Sequence, residues 1–387
     1  MKTIFTARRL YTPIEEIESP MLVVEDGKIV EITTRSAHGL PQNTAVVDFG
    51  DAALAPGFFD IHIHGGAGID LMRASPDDVP RMGKFLATHG VTAYFPTTVA
   101  APLDAICRAL DQLANAIEAN ESGNEGAAQA RPLGIHLEGP FLSHKRRGVH
   151  PPENLVAPTI AIFERLWQAA RGHVRMLTIA PELDGAMEVI AEAARRNVCV
   201  SIGHSDAELA TAQDAVKAGA RHATHTFNAM RPLDHRAPGI AGEVLSNDEL
   251  TADLIADGIH VAPEMVKVFL RSKGRERAVL ITDAMSATGM PEGRYQLGPI
   301  EVDVKDGRAT SGGSLAGSVL TMDRAVRNVT KFGGWSLRDA VRAASLNPAR
   351  AVGLSAHRGT LAVGAAADFI VLSSDGEVLK TIVGGKS

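Results

Sequence analysis

The residues of this chain that could do chemistry sit where short apolar runs end. FFDIHIHGG places His62 and His64 two positions apart. In a strand that spacing turns both imidazoles to one face, and Ile61 and Ile63 to the other. GIHLEGP ends in Glu138 before a Gly-Pro stop, VCVSIGHSD reaches His204, HATHTFNAM reaches His225 and AVLITDAMS reaches Asp283. Any one of these is equally well a structural polar group, a helix cap or a salt-bridge partner. Five separate runs that all end in His, Glu or Asp point instead to a shared metal site. Imidazole and carboxylate ligands suit Zn2+ or a similar divalent ion, with Fe2+, Mn2+ and Co2+ as alternatives. Four histidines and Glu138 are one ligand more than a closed tetrahedral site uses, and two ions sharing Glu138 as a bridge accommodate them. One or two ions per subunit are therefore expected. Such ions lower the pKa of a bound water to about 7. Asp283 is the natural proton acceptor for that water, a role compatible with its also being a ligand.

Groups so far apart in sequence need a scaffold that gathers strand ends. Eight strand candidates lie at 54–62, 91–98, 132–138, 175–181, 198–204, 222–228, 250–257 and 278–283. Helix-like stretches separate most of them, for example at 77–90, 103–119 and 206–220, and several end in Gly. Alternating strand and helix predicts a parallel sheet. Eight units predict an α/β fold, a (β/α)₈ TIM-like barrel with its reactive groups at the C-terminal ends of the strands. The stretch 231–249 holds Pro and Gly and no clear helix, so one unit is expected to be irregular. Both termini read differently. Asp26-Gly27 and Asp375-Gly376 each stand between apolar-rich runs, which is a strong hairpin signal. Residues 1–53 with 355–387 are therefore expected to form one small β-sandwich domain flanking a barrel at 54–354. ESGNEGAAQA (121–130) reads as a polar surface loop.

Composition narrows the class of protein. The chain has 387 residues, 45% hydrophobic and 22% charged, which is the balance of a folded globular protein. With a net charge of −6, no overall basic field invites nucleic acid or anionic lipid. Two cysteines, Cys107 and Cys199, make no disulfide framework and fit a reducing compartment. Arg8 and Arg9 interrupt the start before an apolar segment can form, so a secretory signal is not expected. No apolar run reaches the roughly 18 residues of a membrane helix. A cytoplasmic protein that engages neither nucleic acid nor membrane is the expectation.

The ordered motifs PGFFDIHIHG, HLEGPF, GHSD, THTFNAM, DGIHV and TDAMS resemble the amidohydrolase superfamily over essentially the whole chain. HLEGPF, THTFNAM and SLAGS narrow the resemblance to its amino-sugar-phosphate deacetylases, with Glu138 where other branches use a carbamylated lysine. The resemblance implies hydrolysis of the acetamide of N-acetyl-D-glucosamine 6-phosphate to D-glucosamine 6-phosphate and acetate. A deacylase for another N-acyl amino-sugar phosphate, a cyclic-amide hydrolase and a non-catalytic binding relative are the alternatives.

Further roles follow from the same likeness. His150 would polarise the acetyl carbonyl, and Asp283 would be the acid/base. Val149, Asn228, Ala229, His260, Leu315, Ala316 and Gly317 would contact substrate. His260 is expected to end the seventh strand, and Arg236 would bind the phosphate. A homodimer is implied, in which Arg236 and His260 approach a neighbouring site. Lys145, Arg146 and Arg147 add charge beside His150, and nothing local assigns them a contact with substrate. His136 shares strand parity with Glu138, while His38, His89, His144, His173, His222, His235 and His357 read as structural or surface residues.

Overall fold

A computed structural model describes residues 2–12, 15–35, 44–121 and 128–386. His38 and most of the loop expected at 121–130 lie outside the described residues.

Eight parallel strands close on themselves. They are Phe58–Ile63, Val91–Pro96, Ile135–Glu138, Val174–Ile179, Cys199–Ile202, His222–Ala223, Ala252–Ile255 and Ala278–Ile281. Ladders join the first to the second, the third through to the sixth, and the seventh to the eighth. Backbone bonds complete the ring. Thr98 donates to the His136 carbonyl, Ala223 to Thr251, and Asp283 to His62. The first, third, fifth, sixth and eighth strands end within two residues of His62 and His64, Glu138, His204, His225 and Asp283, which places these groups at the C-terminal face where a barrel carries its chemistry. Helices such as Asp78–Thr88, Leu103–Glu121 and Ala186–Arg195 cover the outside with an apolar stripe.

Three expectations need correction. The first strand candidate divides at Gly57. Ala53–Pro56 pairs antiparallel with Phe369–Leu372 in the terminal sheets, and only Phe58–Ile63 belongs to the barrel. A side chain at Gly57 would collide with Thr92, its Cβ only 2.2 Å from the Thr92 Cγ2, so the chain crosses there only without one. The sixth strand stops at Ala223, because His225, Phe227 and Ala229 adopt φ of 28°, 79° and 49° and turn the chain out of extended geometry. The segment 231–249 does contain a helix, Gly239–Ser246. Its eight residues are too few to display a helical period. It is held at its C-terminal end by Lys273, whose Nζ donates to the Val244 and Asn247 carbonyls at 2.8 Å each.

The terminal sheets form as the turn signals predict. Asp26 and Gly27, with φ of 49° and 75°, join Pro20–Glu25 to Lys28–Thr34, and Phe369–Leu372 pairs with Val378–Ile382. The two sheets share a core of Phe5, Leu10, Leu22, Leu54, Phe369 and Ile382. This is a TIM barrel with a β-sandwich. One element escaped the sequence reading. After the eighth strand, Gly293–Leu297, Ile300–Lys305, Arg308–Ser311 and Ser314–Leu315 form an antiparallel meander that packs its apolar face on Val99 and Met285.

Candidate functional site

The strand ends deliver His62, His64, Glu138, His204, His225 and Asp283 to one buried cluster. His62 is wholly buried, and the most exposed of the six, Asp283, keeps 8% of its surface. Positive φ at His204 (47°), His225 (28°) and Asp283 (50°) bends each chain just past its strand, so that the side chain turns inward.

The ring nitrogens define two pairs. The Nε2 atoms of His62 and His64 are 3.2 Å apart, and those of His204 and His225 are 3.1 Å apart. Glu138 lies between the pairs. Its Oε1 is 3.2 Å from His204 and 3.0 Å from His225, and its Oε2 is 3.2 Å from His64. The carbonyls of Thr97 and Arg146 contact the Nδ1 atoms of His64 and His204 at 3.1 and 2.9 Å. A carbonyl only accepts, so Nδ1 carries the proton and the Nε2 lone pair faces the cluster. The other ring of each pair, His62 or His225, has no partner at Nδ1 among the described residues, and a cation between the two Nε2 atoms would be bound by both rings. Nitrogens sharing one tetrahedral ion at bonds of about 2.0–2.1 Å stand roughly 3.3 Å apart. His62, His64 and Glu138 form one group able to hold a metal, and Glu138, His204 and His225 form the other. The residues fit the expected ions.

Charge in the cluster points the same way. Burial pushes the Glu138 carboxyl up, but His62 and the hydrogen bonds from His150, His204 and His225 outweigh it and hold the acid well below its usual range. Burial is likewise overcome at Asp283, which His62 and His64 bring down to about 2. On His64 the two carboxylates override burial and lift the ring to about 10, and Glu138 lifts His225 to about 9 in the same way. Burial prevails only on His204, which falls to about 4. Two anions, Glu138 and Asp283, are thus fixed in the pocket, the charge that a divalent cation would complement.

A cavity of about 200 Å³ opens above the cluster. The candidates Val149, His150, Asn228, Ala229, His260, Leu315 and Gly317 line it together with His64, Glu138, His204, His225 and Asp283. Ala316 is fully buried beside it and does not line it. His260 lies five residues beyond the seventh strand rather than at its end, because Asp257 and Gly258 turn the chain first. Asp257 accepts from the backbone of Ile259 and His260 and holds the His260 ring at 2.7 Å. His150 Nδ1 accepts from the Ala100 amide at 3.2 Å, which puts the ring proton on Nε2. Arg236 is not brought to this cavity. It is exposed on the loop before the helix Gly239–Ser246, and no Lys or Arg among the described residues lines the pocket.

Sequence reasoning missed the residues that hold the ligands in place. Asp60 accepts from Thr282 Oγ1 at 2.5 Å and from the amides of Thr282 and His62, tying the first strand to the eighth. Burial raises its carboxyl to about 7 against those hydrogen bonds. Asp253 accepts from the His225 amide and from His222 Nε2, the latter at 3.0 Å, and fixes the turn after the sixth strand. His136 packs its ring edge-on to His62 and bonds Thr178 at 2.8 Å, as its parity predicts. Asp60 has a visible signal, the strand parity it shares with His62. Val99, Gly148 and Leu297, which also line the cavity, have none.

Residues 53–387 match the amidohydrolase family, and the chain belongs to it. It is 38% identical to an N-acetylglucosamine-6-phosphate deacetylase of Bacillus subtilis over 97% of this chain and 94% of that one. It is 37% identical to an N-acetylgalactosamine-6-phosphate deacetylase of Escherichia coli O157:H7, covering 97% of this chain and 96% of that one. Among solved structures, an N-acetyl-D-glucosamine-6-phosphate deacetylase variant of Mycobacterium smegmatis in complex with N-acetyl-D-glucosamine-6-phosphate superposes with a TM-score of 0.92 at 36% identity, covering 100% of this chain and 98% of that one.

Proposed function

We propose that the protein hydrolyses the acetamide of N-acetyl-D-glucosamine 6-phosphate, yielding D-glucosamine 6-phosphate and acetate. The observation that carries this reading is the undivided cluster: two histidine pairs sharing Glu138, with Asp283 and His150 facing the same cavity. Deacetylases similar over more than nine-tenths of the chain supply the substrate class. A non-catalytic relative would lack part of this set, and no member is missing.

His62, His64, Glu138, His204 and His225 would hold one or two divalent ions, Zn2+ first among them. Such ions supply Lewis acidity, making hydroxide available at neutral pH and polarising the acetyl carbonyl. His150 donates its Nε2 proton toward the carbonyl oxygen as negative charge develops there. Asp283, ionised at neutral pH, takes the proton of the attacking water and passes it to the amide nitrogen as the C–N bond breaks. Asn228, Ala229, His260, Leu315 and Gly317 shape the cavity around the sugar.

The phosphate dianion needs positive charge, and among the described residues no Lys or Arg lines the cavity. Arg236 and, three residues before it, the 47% exposed apolar Leu233 both stand at the surface. A homodimer that covers them and brings Arg236 to a neighbour's phosphate is our reading of that surface. Among the described residues no helix is long and apolar enough to cross a membrane, and we read the enzyme as cytoplasmic.

N-acetyl-D-galactosamine 6-phosphate is the second reading, favoured by the likeness to the Escherichia coli deacetylase. Acetate release from both phosphorylated sugars and from unphosphorylated N-acetylglucosamine separates the possibilities. The highest kcat/KM is expected for the glucosamine phosphate, and turnover of none of the three would overturn the assignment.

A further inference from the structure

Three consecutive cations, Lys145, Arg146 and Arg147, stand beside a cavity read as binding a phosphorylated sugar, and phosphate contact is their obvious use. The structure gives them other work. Arg147 Nη1 donates to the His150 carbonyl at 2.9 Å, inside its own loop. Arg146 Nε donates to Asp206 Oδ1 at 2.8 Å, and the largely exposed Lys145 reaches the other carboxylate oxygen at 3.5 Å. None of the three lines the cavity.

The Arg146–Asp206 pair joins two segments that matter to the site. On one side, residues 143–150 end in Gly148, Val149 and His150, which line the cavity. On the other, Asp206 follows His204 by two residues and is fixed from behind, its amide donating to Glu182 at 2.6 Å. Ser205 Oγ donates to the same Glu182 at 2.7 Å. Between the segments, the Arg146 carbonyl takes the His204 Nδ1 hydrogen bond at 2.9 Å, and the Ser143 amide donates to the His204 carbonyl at 3.0 Å. Gly148, at φ 58°, runs so close that a Cβ there would stand 3.3 Å from His204 Cε1.

We propose that the Arg146–Asp206 ion pair is a positioning clamp: it fastens the 143–150 loop so that the Arg146 carbonyl orients His204 and His150 faces the substrate. The inference rests on the reading of His204 as a metal ligand. The pair's side chains are 32% and 16% exposed, and such pairs add little to global stability. Breaking it should loosen the loop without unfolding the barrel, and groups that orient metal ligands typically change affinity or activity 10–100-fold.

The test uses the full chain as wild type, Arg146→Ala, Asp206→Ala, the double variant and Arg146→Lys. Four quantities are read: Zn2+ affinity by chelator competition, kcat and KM for the phosphorylated sugar, amide hydrogen exchange, and Tm. Each single alanine variant should lose roughly tenfold in Zn2+ affinity and in kcat. Exchange should rise only within 143–150, and Tm should stay near that of wild type. The double variant should be no worse than either single one, and Arg146→Lys should recover most of the loss. Wild-type affinity in both alanine variants, additive losses, or a general rise in exchange with a large fall in Tm would overturn the clamp. A wild-type chain that binds no Zn2+ would overturn the metal reading itself and the clamp with it.

Discussion

Replacing Asp283 by Asn tests the proton-transfer role with little disturbance to the fold. Asp283 sits at φ 50°, a backbone region that Asn occupies about as readily as Asp. Its main chain is held independently of its side chain, by donation to the His62 carbonyl at 3.0 Å and acceptance from the Ser318 amide at 2.7 Å. An amide is also nearly the shape of the carboxylate, so the cavity formed by Asn228, His260 and Leu315 should persist. What the substitution removes is a base. The carboxylate, held near pKa 2 with Oδ1 3.2 Å from His64 Nε2, is ionised at every working pH and ready to accept the proton of water. General acid/base groups contribute about 10²–10⁴-fold, or roughly 2.7–5.4 kcal/mol of barrier. Single-turnover acetate release should slow by that factor. The dissociation constant for the phosphorylated sugar, from calorimetry on the metal-loaded variant, should move less than about threefold, since the removed term acts only in the transition state. A variant with kcat within a few-fold of wild type would refute the reasoning and direct attention to His150. Equal losses in binding and turnover would show that Asp283 holds substrate or metal instead.

Other outcomes are expected at the remaining sites. Protein prepared without chelators should carry about two metal equivalents, one for each histidine pair; a value fixed at one with excess metal would leave His62 and His64 unused. Arg236→Ala should raise KM for the phosphorylated sugar about 10–100-fold, the worth of one charge-assisted hydrogen bond. It should leave the unphosphorylated sugar unaffected, whereas equal losses on both would make Arg236 a structural residue. Lys273→Met strips the donors from two carbonyls at the end of the helix Gly239–Ser246, and urea unfolding at pH 7.5 should show a loss of about 1–3 kcal/mol. Burial lowers the Lys273 ammonium to about 8 from 10.5, so between those values the unfolded chain binds more protons than the folded one. Wild-type stability should therefore rise with pH across that window relative to the variant, and a constant difference between the two proteins would contradict the shift.

The metal-binding side chains were legible because their signal is local. A two-residue spacing fixes which face His62 and His64 share, and an apolar run that stops at Gly or Pro marks where a strand ends. Eight such runs separated by amphipathic helices leave few architectures besides a barrel, and a barrel brings all eight ends together. The Asp26-Gly27 and Asp375-Gly376 turns were readable for the same reason, since the turn residues themselves supply the geometry. The short helix Gly239–Ser246 and the meander after the eighth strand were not, because neither is long enough or regular enough to repeat a period. Nor could sequence say what orients each ligand. Thr97 and Arg146 lend carbonyls to His64 and His204 from 33 and 58 residues away, and Thr282 bonds Asp60 across 222. A backbone carbonyl is present at every residue, so composition carries no mark of the one that will be used. Arg146 was visible as a charge beside His150, but its side chain faces Asp206 rather than substrate, and only the folding of the loop decides that. The sequence determined which groups could do the chemistry. The tertiary structure decided the tautomers of His64, His150 and His204, the spacing of the ligands and where Arg236 and Arg146 stand relative to the cavity, because each of these depends on atoms that meet only when distant strands close into a ring.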